Sequence, residues 1–187
     1  MTMRIALDLD NTIFDTTSVY RALIESCNCK YRPLVSYNPH ENGYPTEVVR
    51  ALENLFYSDD LCNAGVIDAR IPPILNTLTK NPQYELFYIT ERDQSQHIPS
   101  YNQLKRAGIV CKDSQLIHSK PKLAALREYK IDLCFDDAPH VVSDCIANNI
   151  DVVMISNYDT AYNHHLREGV EHYQTLITAL QKRGIVK

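Results

Sequence analysis

The sequence predicts an α/β fold, a doubly wound three-layer sandwich with a parallel sheet in its middle layer and a small helical insertion near its start. Three observations predict it. Short apolar runs with few polar interruptions recur along the chain, as strands covered on both faces require. Helical patterns separate them, which suits short links and right-handed crossovers. About seventy residues lie between the first apolar run and the second, where a plain strand–helix–strand unit needs about thirty.

The strands come first. They are "RIALDL" (4–9), "ELFYIT" (85–90), "QLIH" (115–118), "DLCF" (132–135) and "DVVMIS" (151–156). The helices follow from spacing and end signals. "SQHIPSYNQLKRAG" stops at Gly108, a C-terminal cap. "KPKLAALREYK" carries Pro121 in its first turn, where a missing N–H does no harm. "APHVVSDCIANN" and "EGVEHYQTLITALQKRG" (168–184) complete the core set. No internal repeat or low-complexity segment interrupts them.

The long interval holds "TSVYRALIESCN", a turn-rich loop "YNPHENGYP", a helix beginning near Thr46 in "TEVVRALENLFYSDD", and "DARIPPILNTLTKN", which returns to the core. Residues 16–66 therefore form a helical insertion, and 1–15 with 67–187 form the core. Placed after the first strand, the insertion overhangs the carboxyl ends of the sheet, where open α/β folds bind ligands. Asp15 falls at the junction, as a helix cap or polar anchor.

Composition excludes several classes. The 187 residues suffice for one packed domain with an insertion. Net charge is −4, from 19 basic and 23 acidic residues mixed along the chain, and no basic block marks a nucleic-acid polymer or an anionic membrane as partner. No apolar run reaches the roughly 18–20 residues of a membrane span, and "MRIALDLD" meets carboxylates too early for a signal peptide. A cytoplasmic protein with six reduced cysteines is expected. Cys27 and Cys29 form a C-x-C without zinc-like partners, and His164-His165 also lacks partner ligands, so both read as structural.

The chemistry starts with two carboxylates. Asp8 and Asp10 stand two residues apart at the end of a buried strand, where they repel each other and are costly to desolvate. Thr90 ends a second strand, Lys120 and Lys122 open a helix, and Asp136 and Asp137 end a third strand. Taken singly these are caps and solvated charges. Together they converge on one crevice at the carboxyl edge of one sheet. Clustered carboxylates become tolerable around Mg2+, which prefers a few protein oxygens together with phosphate and water. Hydroxyl, lysine and backbone N–H donors can hold the charge of a phosphoryl group. One carboxylate can then attack, and another two residues on can exchange a proton with the leaving oxygen.

In this order, D-x-D-x-T at Asp8–Thr12, the strand-ending Thr90, the helix-opening lysine and Asp136-Asp137 resemble the four motifs of the haloacid dehalogenase (HAD) superfamily of phosphohydrolases. The match runs from residue 4 to about 156, and the insertion corresponds to a cap of the C1 type. The resemblance implies a Rossmann-like core and a set of roles. Asp8 would be the nucleophile, forming an aspartyl-phosphate, and a Mg2+ ligand. Asp10 would be the general acid/base, with its backbone carbonyl on the metal. Thr90 and a lysine would bind the phosphoryl oxygens. Asp137 would be the direct metal ligand of the acidic pair, and Asp136 would orient groups behind it. The lysine is Lys122 by its fourteen-residue spacing to Asp136, with Lys120, followed by proline, as the alternative. Arg92, two residues after Thr90, would contact substrate phosphate or, as a loop arginine, be structural or solvated.

A narrower likeness joins "NAGVIDARIPPILNTLTKNPQYELFYITER", "LCFDDAPHVV" and "SNYDTAYNHH" to the cytosolic 5′(3′)-deoxyribonucleotidase family and its bacterial relatives. Position 11 departs from it, with Asn where many members have Gly. The implied activity is a Mg2+-dependent phosphatase acting on a small phosphomonoester, a nucleoside monophosphate first and a phosphosugar or other metabolite second. The other class is a phospho-ligand binding or regulatory protein that kept the fold without turnover. Tyr20, Tyr37, Tyr44 and Tyr57 of the insertion stay open between a pocket wall and a plain surface role.

Overall fold

A computed structural model describes residues 2–157 and 160–187. Six parallel strands stand in the order β3-β2-β1-β4-β5-β6. They are β1 (Met3–Leu7), β2 (Tyr84–Thr90), β3 (Leu116–His118), β4 (Leu133–Asp136), β5 (Asp151–Ile155) and β6 (His172–Tyr173). Each strand buries alternate residues on opposite faces, which explains the nearly continuous apolar runs. Ile5 and Leu7, Leu86 and Tyr88, Leu133 and Phe135, and Val153 and Ile155 point into one cluster. Ala6, Phe87 and Ile89, Cys134, and Val152 and Met154 point into the other.

The helices divide accordingly. α3 (Ile71–Lys80), α4 (His97–Arg106) and α7 (Leu176–Lys182) bury Leu75, Leu104 and Leu180 against the first face. α5 (Lys122–Glu128) and α6 (Pro139–Ala147) bury Leu126 and Val142 against the second. The chain builds outward from β1 to β3 and then returns to place β4 on the other side of β1. The strand order therefore reverses at the centre of the sheet, where such folds open a crevice. The register pairs Leu7 with both Tyr88 and Phe135, so the carboxyl ends of β1, β2 and β4 come out side by side.

Between β1 and β2 the chain forms α1 (Thr16–Ser26), a 3-10 turn (Pro39–Asn42), α2 (Thr46–Leu55) and a second 3-10 turn (Asp59–Asn63) before α3. α1 and α2 share a hydrophobic cluster of their own, built on Tyr20, Ile24, Val48, Val49, Leu52 and Leu55, with Cys27 and Cys29 packed against it. Asp15 caps α1 by accepting from the Ser18 backbone N–H at 3.0 Å, and its own N–H donates to Gly65 O, tying the two ends of the excursion together.

Three sequence expectations are corrected. No single helix covers 168–184. Glu171 to Tyr173 instead pair with the edge of β5, which would otherwise leave its N–H and C=O groups open, and Thr175 caps a shorter α7 by accepting from Thr178 N. Strand β1 ends at Leu7, not Leu9, because Leu9 O accepts from Ile13 and Phe14 and turns the chain. Pro121 precedes α5 in an extended conformation, so the first helical residue is Lys122. Gly108 does end α4 as expected, at φ +75°. The six cysteines are free thiols. Among the described residues no helix is long and apolar enough to cross a membrane.

Candidate active site

Asp8 is the first residue beyond β1, and its N–H donates to Phe135 O of β4, which fixes it beside the end of that strand. Asp136 closes β4 and Asp137 follows it. Ligand oxygens of Asp8, Asp136 and Asp137 lie within 4.8 Å of one another, and all three residues are buried. Asp8, Asp10, Thr90, Arg92, Lys120, Lys122 and Asp137 line one cavity of about 710 Å³. The sequence-predicted set therefore converges, with Asp136 directly behind it.

The two lysines separate clearly. Lys122 is buried and its ammonium donates to Asp8 Oδ1 and, at 2.7 Å, to Asp136 Oδ2. Lys120 is exposed at the cavity wall. Burial alone would push the Lys122 ammonium toward neutrality, but Asp136 and Asp8 outweigh it and hold its pKa well above the ordinary lysine value.

The carboxylates divide by what occupies their oxygens. Asp136 has Lys122 on Oδ2 and the Ala138 N–H on Oδ1 at 2.9 Å, so both of its oxygens are engaged within the protein. Asp8 has Lys122 on Oδ1, while its buried Oδ2 has no partner. Burial pushes the Asp8 carboxyl well up, Lys122 opposes this, and the neighbouring aspartates add to it. Burial and the adjacent Asp136 likewise raise Asp137 to about 7. Three clustered carboxylates face a single ammonium, and one buried oxygen lacks any donor. That deficit of positive charge fits a hard divalent cation held by Asp8 and Asp137.

Asp10 sits apart from this cluster in its bonding. Arg92 grips it with two parallel bonds, Nε to Oδ2 at 2.9 Å and Nη2 to Oδ1 at 2.6 Å. In place of a solvated loop side chain, Arg92 is buried, and its Nη1 reaches Ser100 Oγ, Gln103 Oε1 and Cys62 Sγ. The reason lies in α4, whose Ser100 and Gln103 offer acceptors to a guanidinium leaving β2. Gln103 in turn donates to Ala64 O at 2.8 Å, so the same residue anchors the end of the insertion. Thr90 is buried at the end of β2, and its Oγ1 accepts from the Arg92 N–H at 3.2 Å.

Sequence reasoning gave no role to Asn11, Tyr162 or Asn163. Asn11 adopts φ +55°, a left-handed turn that favours Gly or Asn and accounts for the residue at this position. Its Oδ1 accepts from Thr16 Oγ1 and from Thr17 N and Oγ1, and its Nδ2 donates to Tyr162 Oη at 3.0 Å. Tyr162 Oη donates to Asp137 Oδ2. Asn163 Nδ2 donates to the backbone carbonyls of Asp137 at 2.8 Å and Ile155 at 3.0 Å. The signal was the "YN" within "SNYDTAYNHH"; Tyr158 and Asp159 of that stretch lie outside the described residues. His164 and His165 are exposed on the 3-10 turn Ala161–Leu166.

The tyrosines of the insertion resolve individually. Tyr20, Tyr37 and Tyr57, with Phe56, line the cavity. Tyr44 is packed in the insertion's own cluster, its hydroxyl bonded to the backbone N and O of Arg32.

No family model and no curated protein matches the chain. Solved structures do. A hydrolase of the haloacid dehalogenase-like family from Streptococcus pneumoniae superposes with a TM-score of 0.59 at 14% identity, covering 97% of this chain and 98% of that one. A HAD-hydrolase candidate from Bacillus subtilis, solved bound to magnesium, gives a TM-score of 0.58 at 14% identity over 98% and 99%. A HAD family hydrolase from Deinococcus radiodurans with bound phosphate and sodium gives 0.60 at 10% over 100% and 98%. The likeness spans the whole chain, insertion included, and establishes the fold.

Proposed function

We propose that the protein is a Mg2+-dependent phosphoric monoester hydrolase with a core of residues 1–15 and 67–187 under a cap of residues 16–66, and that its substrates are nucleoside monophosphates. The observation that carries the reading is the state of Asp8. One oxygen is fixed by Lys122 and the other is buried, free of donors, on a residue of the cavity wall. That is the arrangement of a nucleophile held in aim. Lys122 and Thr90 both line that cavity, which supports reading them as the groups that take the charge of the peripheral phosphoryl oxygens.

The residues support a two-step reaction. Asp8 attacks phosphorus through one carboxylate oxygen, the phosphorus–ester bond breaks, and Asp10 gives a proton to the departing oxygen. A water molecule then passes its proton to Asp10 and attacks the aspartyl-phosphate, which releases inorganic phosphate and restores Asp8. To deliver its proton, Asp10 must free one oxygen from Arg92. Mg2+, held by Asp8, Asp137 and the Asp10 carbonyl, would neutralise charge on the phosphoryl group. The six free cysteines suit a cytoplasmic enzyme.

The nucleotide reading rests on the cap. Tyr20, Tyr37, Phe56 and Tyr57 share the cavity with the carboxylates, which offers a planar base an aromatic surface within the same cavity. A panel of 5′- and 3′-nucleotides and phosphosugars assayed with Mg2+ tests it. Nucleotides are expected to lead the panel; exclusive hydrolysis of sugar phosphates would replace the substrate assignment. Absence of Mg2+-dependent hydrolysis, or full activity in Asp8→Asn, would overturn the catalytic reading.

A further inference from the structure

Tyr162 is buried far along the chain from the D-x-D turn, yet its single hydroxyl joins three parts of the molecule. It donates to Asp137 Oδ2 and accepts from Asn11 Nδ2 at 3.0 Å. Asn11, through Oδ1, collects three donors from Thr16 and Thr17 in the first turn of α1. The ring of Tyr37, from the loop ahead of α2, meets the Tyr162 ring edge-on, with centroids 5.6 Å apart and planes at 82°.

A carboxylate with one oxygen pinned can turn only its other oxygen to a cation. Both oxygens of Asp136 are already engaged, so Asp137 is the member of the pair whose orientation matters. We propose that Tyr162 is a positioning residue: its phenol sets the Asp137 carboxylate for a divalent cation and ties that carboxylate, through Asn11, to the first turn of α1. The backbone of Asp137 is already held by Asn163, so the phenol governs the side chain and not the strand end. The inference rests on the reading of Asp137 as a metal ligand.

The test is titration of metal-free protein with Mg2+ by calorimetry and with Mn2+ by electron paramagnetic resonance, with no substrate present. Tyr162→Phe is expected to weaken binding by about 10- to 100-fold, the usual cost of removing a group that orients a ligand. Tyr44→Phe, which removes another buried tyrosine hydroxyl, one bonded to the Arg32 backbone within the α1–α2 cluster and away from the carboxylates, is the control for general loosening, and its affinity should stay close to wild type. Equal affinity in Tyr162→Phe and wild type would overturn the proposal, as would equal losses in the two variants. If Tyr162→Phe does not fold, the ultraviolet difference spectrum of wild type during the Mg2+ titration decides. A tyrosine band that saturates with binding is expected, and its absence overturns the proposal. A wild-type protein that binds neither ion would instead remove the metal-ligand reading beneath it.

Discussion

Arg92 and Asp10, 82 residues apart in sequence, close a two-pronged ion pair whose guanidinium side is only 2% exposed and whose carboxylate side is 18% exposed. The pair joins the turn after β1 to the loop after β2. Through Nη1 it also reaches Cys62 on the 3-10 turn that closes the insertion. The proposed proton carrier is thus held by a residue that also touches the insertion.

Removing the guanidinium would strand a partly buried carboxylate and three acceptors. Arg92→Ala is expected to cost about 3 kcal/mol, the lower end for breaking a buried pair, seen as a fall of roughly 6–12 °C in Tm for a chain of this size. Arg92→Lys keeps the charge but loses the fork, so it should recover only part of that loss. Thermal unfolding of the three proteins checks the order.

Lys122 and Lys120 should differ sharply. Lys122→Ala leaves Asp8 and Asp136 without their shared donor, and turnover is expected to drop by at least about 100-fold, as for removal of a preorganised donor. Lys120→Ala, at an exposed position, should leave turnover near wild type. Steady-state kinetics with one phosphomonoester distinguishes them, and the reverse pattern would reassign the phosphate-binding lysine.

Metal and proton compete for the same carboxylates. Asp137 titrates at about 7 in the folded metal-free protein, against 3.8 for an ordinary aspartate, and Asp8 is raised as well. The folded state therefore keeps protons that the unfolded chain has released. Between about pH 4 and 7 the metal-free protein should lose stability as pH rises. Mg2+ should reverse this, adding about 2.7 kcal/mol when present at one hundred times its Kd, with a smaller increment at pH 5 than at pH 8. Melting curves with and without Mg2+ across this range measure both effects.

Tyr57 is 76% exposed at the cavity wall and makes a clean probe of base recognition. Tyr57→Ala is expected to raise KM for a nucleoside monophosphate by roughly fivefold or more, corresponding to about 1 kcal/mol of stacking. KM for glycerol phosphate, which has no ring, should stay put. Equal changes for both substrates would remove Tyr57 from base recognition.

The parts of the fold carried by apolar runs were legible in the chain itself. All five expected strands are present within two residues at each end, and so are the helices before Gly108 and after Ala138. The two-residue β6 was not, because its pairing depends on the open edge of β5 and not on its own residues. The acidic and hydroxyl members of the candidate site were legible because Thr90 and Asp136 end strands and Asp8, Asp10 and Asp137 follow within three residues of one, and parallel strands deliver their ends to one edge. What polar side chains bond to was not. Arg92 looks solvated until α4 supplies Ser100 and Gln103, and Tyr162 looks like an ordinary apolar residue until Asp137 and Asn11 meet its hydroxyl. Such pairings depend on distances across the fold that no local pattern records.

The position of β1 has one more consequence. It is flanked by β2 and β4, and the loop leaving it is the one that carries the insertion. Residues placed in that loop can be lengthened, shortened or exchanged while the three strand ends beneath keep their register. On the proposed reading, a change of substrate size calls for rewriting that loop beyond the first turn of α1, because Asp8, Asp10 and Asn11 lie in its opening stretch and Thr16 and Thr17 hold Asn11.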